Sequence, residues 1–241
     1  MSARLEELDW RETPMGELSL RRRLEPALQI DVYEVRLGDE FLMSSLFTVA
    51  EIELARLGLA ATSGPDLDVL VGGLGLGYTA QAALQDPRVR RLTVIEAQPA
   101  VIEWHQRQLL PVSSALTDDP RCELVEADFF AGIATSALGV GGFGPEVPER
   151  WHAILLDIDH TPHHLLHPSH AGFYTAAGLE RLACHLHPHG VFALWSDDPP
   201  DEAFLTLLRQ SFTDPTAHVV TFPNHYTDIP STNTVYVARL D

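Results

Sequence analysis

The residues best placed to do chemistry in this chain are acids that follow short apolar runs. Asp68-Val69-Leu70-Val71-Gly72-Gly73-Leu74-Gly75-Leu76-Gly77 leads an apolar strand into a glycine loop that opens a helix. Gly73, Gly75 and Gly77 suit a loop that must turn sharply and let a ligand approach the backbone where a Cβ would collide. An ordinary strand-to-helix turn can carry the same glycines, so the loop decides little alone. Glu96 ends the next apolar run, about twenty residues on, where a carboxylate can accept hydrogen bonds from both ribose hydroxyls. Asp128 closes a third run, Leu124-Val125-Glu126-Ala127-Asp128, and can accept from an adenine amino group.

A fourth run, Ala153-Ile154-Leu155-Leu156, is followed by Asp157, Asp159 and His160. In open α/β sheets the ligand lies outside the carboxyl ends of the strands, so Asp157 should face the reacting atoms, where a general base belongs. Its competing role is the cap of a tight turn. His160, His163, His164, His167 and His170 crowd the same segment, and His185, His187 and His189 are expected on the following helix. His163 and His167 have the spacing of helical metal ligands. Pro162 and Pro168 interrupt any helix there, and no cysteine or HExxH pattern accompanies them. The expectation is a loop over an acceptor site, with no metal. Asp197-Asp198-Pro199-Pro200-Asp201 reads as a loop and helix start, and Arg21-Arg22-Arg23 as a solvated or interface face.

These acids need a scaffold. Before about Ser45, alternation in Leu18 to Arg21 and Gln29 to Leu37 predicts a small N-terminal β-hairpin. Leu46 to Leu59 reads as a helix ending at Gly58. Short apolar runs then alternate with helical stretches, and the last two runs, His218 to Phe222 and Thr234 to Arg239, follow one another directly. A helix through Leu179 to Leu186, a strand Val191 to Leu194 and a Gly-rich loop from Leu138 to Pro148 complete the second half. Such alternation predicts an α/β, Rossmann-like, doubly wound sheet of seven strands. The expected division is 1-45 for the hairpin extension and 46-241 for the main domain.

Composition narrows the function. The 241 residues carry a formal charge of −18, which repels a phosphate backbone and disfavours nucleic acid as a partner. Small cationic or neutral substrates fit better. No residue is lysine, so lysine Schiff-base and general-base chemistry is excluded. No apolar run approaches the ~20 residues of a membrane-spanning helix, and the N-terminal stretch lacks an apolar core of the secretory kind. No membrane association and a cytoplasmic location are expected, and a homodimer is compatible. Cys122 and Cys184 have no zinc or disulfide spacing.

The run Val94-Ile95-Glu96-Ala97-Gln98-Pro99-Ala100-Val101-Ile102, then Asp119-Pro120-Arg121-Cys122-Glu123-Leu124 and Asp128, resembles spermidine synthases and their methyltransferase relatives. The likeness continues through Phe173-Tyr174 and Gly190-Val191-Phe192, roughly residues 40 to 200. It implies the seven-stranded methyltransferase fold with S-adenosylmethionine, or its decarboxylated form, as donor. Glu96 would hold the ribose, Asp128 the adenine, and Asp157 would deprotonate the attacking amine. His160 falls where the family has a second acid, and Glu51 aligns with its N-terminal acid. Asp159, Trp195 and Phe222 would border the acceptor. Leu76, Trp195 and Phe222 stand where the family presents Asp, Gln and Tyr. On those departures the expected reaction is methyl transfer from S-adenosylmethionine to a small amine or other small nucleophile. Aminopropyl transfer from the decarboxylated donor stands second, and a non-catalytic nucleoside-binding protein third.

Overall fold

The computed structural model describes residues 5–136, 142–144 and 147–241. The first segment is a four-stranded antiparallel sheet in the order β1-β2-β3-β4, with β1 Leu5–Thr13, β2 Gly16–Glu25, β3 Ile30–Leu37 and β4 Glu40–Ser44. Alternation in the sequence predicts only a hairpin here. The other two strands escaped it because their alternation is weak: β1 is an edge strand with little burial, and β4 spans five residues. Leu18, Leu20 and Val35 turn one face of this sheet into the main core, while Arg21, Arg22 and Arg23 pair with Glu7, Glu6 and Glu34. The arginine run is therefore neutralised by acids of the two neighbouring strands.

Helix α1 (Val49–Ala61) leads to the main sheet. The strands are β5 (Leu67–Gly72), β6 (Val89–Glu96), β7 (Cys122–Glu126), β8 (Trp151–Leu156), β9 (Leu186–Ser196), β10 (Thr213–Phe222) and β11 (Ser231–Arg239), in the order β10-β11-β9-β8-β5-β6-β7. All neighbours from β9 to β7 pair in parallel, and β11 runs antiparallel to both β9 and β10. Every residue of β5 is buried, as a central parallel strand covered on both faces requires. Val69, Val71, Val94 and Leu155 face α1, α2 (Tyr78–Leu84) and α3 (Pro99–Gln106), whereas Leu70, Ile95, Ile154 and Phe192 pack on the opposite face with residues of α5 (Phe129–Ser136), α6 (Ala176–Ala183) and α7 (Glu202–Leu208). This period-two division builds two apolar layers around one sheet. A short helix α4 (Ser113–Thr117) completes the set.

Three local expectations shift. Gly58 lies inside α1 instead of ending it, because a Cβ there would stand 2.5 Å from Leu155 Cδ2 and 3.2 Å from Ala193 Cβ. Helix α6 stops at Ala183 and β9 begins at Leu186, so His187 and His189 belong to the strand and His185 to the turn before it. Part of the Gly-rich loop from Leu138 to Pro148 lies outside the described residues.

The chain moves outward from β5 to β6 and β7, then returns to place β8 on the other side of β5. This reversal leaves a crevice at the carboxyl ends of β5 and β8, the place where open α/β sheets bind ligands. The N-terminal sheet closes one side of that crevice with Met15, Leu18, Val35, Leu37, Leu42 and Met43.

Candidate active site

The glycine loop is held by close packing. Gly73 has φ +94°, and a Cβ on it would fall 2.1 Å from the carbonyl oxygen of Asp157. Any other residue there would separate β5 from β8 at the point where the crevice opens. Below the loop, His105 of α3 is fully buried, and its Nε2 lies 2.9 Å from the Gly75 carbonyl. Burial holds this imidazole below its ordinary pKa, so it donates to that carbonyl as a neutral ring. The sequence reading missed His105, whose only signal was a histidine on the inner face of an amphipathic helix.

A cavity of about 280 Å³ opens above the loop, lined among others by Gly73, Gly75, Glu96, Gln98, Asp128, Phe130 and His170. At the end of β6, one Glu96 oxygen accepts the Leu74 backbone N–H at 3.0 Å and the other accepts that of Gln98 at 2.8 Å. Each carboxylate oxygen retains acceptor capacity, the requirement for gripping a pair of hydroxyls. Burial raises the Glu96 pKa, and the backbone donors act against that rise. Asp128 caps α5 by accepting the Ala131 N–H at 3.0 Å and stays exposed at the cavity rim. His170 stacks on Phe130 with ring centroids 3.9 Å apart, adding a flat wall.

Toward α1 and the start of α2 the crevice narrows into a smaller pocket, lined by Leu42, Met43, Glu51, Gly75, Leu76, Tyr78, Asp157, His160 and Trp195 among others. Asp157 leaves the end of β8, and Glu51 comes from the first turn of α1. Thr79 of α2 donates to Asp157 Oδ2 at 2.7 Å. Burial and the nearby Asp157 push the Glu51 carboxyl up to about 8. Burial pushes Asp157 up to about 6, against the pull of the Thr79 hydroxyl. The two acids thus form a pair that resists carrying two charges and gains from a cation placed between them.

Several candidate residues take other positions. Asp159 is almost wholly buried and lines neither pocket; it accepts from the Leu166 backbone N–H, from His170 Nδ1 at 2.8 Å and from the Tyr174 hydroxyl at 2.9 Å. It therefore organises the histidine segment in place of touching substrate. The chain turns after Ile158, which sends Asp159 beneath the segment while Asp157 faces the cleft. Within that segment His160 reaches the small pocket but is paired with Glu40, and His164 lies near the same carboxylate. His163 pairs with Asp201, outside the cleft. His167 and His170 line the larger cavity, so the segment walls the nucleoside end as much as the acceptor end. Trp195 and Phe222 both border an open extension of the small pocket beside Glu51, Asp197 and Asn233, with Phe222 packed on Phe47. Among the described residues, no group of three His, Cys, Asp or Glu side chains could hold a metal ion. No described helix is long and apolar enough to cross a membrane.

The sheet order, the glycine loop and the cleft at the switch point define a Rossmann-like, doubly wound α/β fold. Spermidine synthase from Thermotoga maritima superposes with a TM-score of 0.71 over 98% of this chain and 74% of that one, at 19% identity. A spermidine synthase in complex with the transition state analogue AdoDATO superposes equally well, with the same coverage and 18% identity. Human methyltransferase-like protein 13 in complex with SAH gives 0.56 over 80% of this chain and 82% of that one, at 20% identity. In sequence, polyamine aminopropyltransferase 2 of Pseudomonas aeruginosa is 28% identical over 167 residues, 65% of this chain and 43% of that protein. The fold is thus spermidine synthase-like, and the homologues are polyamine aminopropyltransferases. This chain spans less than half the length of the curated relatives it matches. No protein-family model matches it.

Proposed function

We propose that this protein transfers an aminopropyl group from decarboxylated S-adenosylmethionine to a small amine. The observation that carries the reading is the charge of the small pocket. Two carboxyl groups, Glu51 and Asp157, line it, and among the described residues no arginine lines either it or the larger cavity. His160 and His170 are committed to Glu40 and Asp159, and His167 accepts the Ser169 backbone N–H with Nδ1. A donor with a free carboxylate would meet two acids and no cation to pair with, whereas a donor ending in an ammonium would meet complementary charge. The homologues' names support the same choice. The apolar replacements Leu76, Trp195 and Phe222 had favoured methyl transfer, but they leave the acid pair intact and so weigh less than its charge.

The residues present fit the donor. Glu96 offers two backbone-anchored oxygens to a ribose, Asp128 stands at the rim for an adenine amine, and Phe130 supplies an aromatic face. The donor supplies an electrophilic carbon next to a sulfonium, whose C–S bond breaks as the new C–N bond forms, with the electron pair staying on sulfur as a neutral thioether. Asp157 accepts the proton that the attacking amine must lose, and Glu51 balances the positive charge of the donor's terminal ammonium. Met43, Leu42 and Trp195 surround these groups with apolar surface, which strengthens each charge interaction inside the pocket.

The test incubates the protein with either donor and a panel of mono- and diamines, and measures 5′-methylthioadenosine and S-adenosylhomocysteine by chromatography. Methylthioadenosine formed with the decarboxylated donor, in step with an aminopropylated amine, is the expected result. Amine-dependent S-adenosylhomocysteine from S-adenosylmethionine would overturn the proposal in favour of methyl transfer.

A further inference from the structure

We infer that Thr79 is a positioning residue for the base: its one hydroxyl proton alternates between the Asp157 carboxylate and the Glu51 backbone carbonyl as Asp157 loses and gains its own proton. The inference rests on the assignment of Asp157 as the base in the transfer reaction proposed above. Thr79 Oγ1 lies 2.7 Å from Asp157 Oδ2 and 3.2 Å from the carbonyl oxygen of Glu51. A hydroxyl has a single proton to donate and lone pairs with which to accept. It cannot donate to both oxygens at once, so the protonation state of Asp157 decides which one it serves.

When Asp157 is ionised, the Thr79 O–H points to it and stabilises the charge. When the amine proton arrives on Asp157, the new carboxyl O–H donates to Thr79 Oγ1, and the Thr79 proton swings to the Glu51 carbonyl. Thr79 Oγ1 thus stays hydrogen-bonded to Asp157 in both states with no heavy atom displaced, and only the direction of that bond reverses. Thr79 is 3% exposed, so water is a poor substitute for either partner. The three groups come from α2, the end of β8 and α1, which places the hydroxyl where the glycine-loop helix meets both acid-bearing elements. Position 79 falls two residues past Gly77, whose left-handed backbone starts α2 and fixes where that first turn points.

Other titratable groups face Asp157 as well. Glu51 of α1, Tyr78 of α2 and His160 of the segment after β8 line the small pocket, and Glu96, Asp128, His167 and His170 line the larger cavity that Asp157 also borders. All of them are retained when Thr79 alone is changed. Burial raises the Asp157 pKa and the Thr79 hydroxyl lowers it, so removing the hydroxyl should move the titration in a known direction.

The experiment compares wild type with Thr79→Val, which keeps the shape, Thr79→Ser, which keeps the hydroxyl, and Thr79→Ala as a smaller alternative if valine prevents folding. Aspartate labelled at the side-chain carboxyl carbon is followed by NMR against pH, with the Asp157 signal assigned from its loss in Asp157→Asn. The Asp157 midpoint should rise by about one pH unit in Thr79→Val, a tenfold change in the protonation equilibrium, and stay near wild type in Thr79→Ser. The acid limb of the kcat/KM profile for aminopropyl transfer should rise by the same amount. A merely structural role would lower the plateau and leave both midpoints in place. An unmoved midpoint in Thr79→Val and Thr79→Ala, or a serine variant that behaves like valine, overturns the inference. If wild type transfers no aminopropyl group, the proposed reaction fails, and the NMR titration still decides the role of Thr79.

Discussion

Replacing Glu51 with glutamine should stabilise the protein at alkaline pH and leave it unchanged in acid. Glu51 titrates at about 8, raised first by burial and then by Asp157. A native-state pKa above the unfolded value favours folding most fully below the unfolded pKa, near 4 for a carboxyl, and that advantage is lost as pH rises through the folded value. The window here runs from about pH 4.5 to about pH 8, with Asp157 contributing at about 6. Taken alone, a rise of that size corresponds to at most ~5 kcal/mol. Glu51 keeps one edge open to the cleft and shares its shift with Asp157, which reduces the expected effect to about 2 kcal/mol. For a domain of this size that is a rise of about 4–8 °C in Tm at pH 8. Urea and thermal unfolding of wild type and Glu51→Gln at pH 4.5 and pH 8 would measure it. An equal shift at both pH values, or destabilisation at pH 8, would refute the claim that the pocket holds an electrostatically strained acid pair.

The remaining expectations concern separate parts of the cleft. Glu96→Ala and Asp128→Ala should each weaken binding of 5′-methylthioadenosine by about 1–3 kcal/mol in calorimetry, because each removes a charged acceptor from the nucleoside end. Asp157→Asn should bind the nucleoside normally and lose about 10²–10⁴-fold in turnover, so wild-type turnover in that variant would place the base elsewhere. His105→Ala should destabilise the fold by about 2–4 kcal/mol in urea unfolding and weaken nucleoside binding with it, since the glycine loop loses both packing and the donor to the Gly75 carbonyl. Because burial lowers the His105 pKa, wild type should also lose stability as pH falls below about 6.5, and His105→Ala should lack that component.

Much of this architecture was legible because its signals are local. Each parallel strand is a short apolar run, and an acid at its end is an acid at the cleft, which is how Glu96, Asp128 and Asp157 could be placed from the sequence. Glu51 was harder, since its helix reaches the cleft only through packing on the sheet. Asp159 illustrates the limit: only Ile158 separates it from Asp157, yet the turn after Ile158 hides it under Tyr174 and His170. Thr79 carries no pattern in sequence and His105 only its place on a helix's inner face, because their importance comes from partners 78 and 30 residues distant. The pocket's charge, on which the proposed aminopropyl transfer rests, was not legible in the sequence because it depends on side chains from α1, β8 and the histidine segment meeting in space.

Gly58 gives α1 the properties of a lever. Glu51 and Gly58 lie about two helical turns apart and so point to the same side of the helix. Gly58 is the contact at which the rod rests on Leu155 and Ala193 with no side chain between. The depth to which Glu51 enters the cleft is therefore governed by a residue that touches no ligand. A methyl group at that fulcrum would raise the rod off the sheet, separate the two acids and ease their repulsion. Lineages of this fold could retune the grip on a cation by changing this seat while every pocket-lining side chain stays the same.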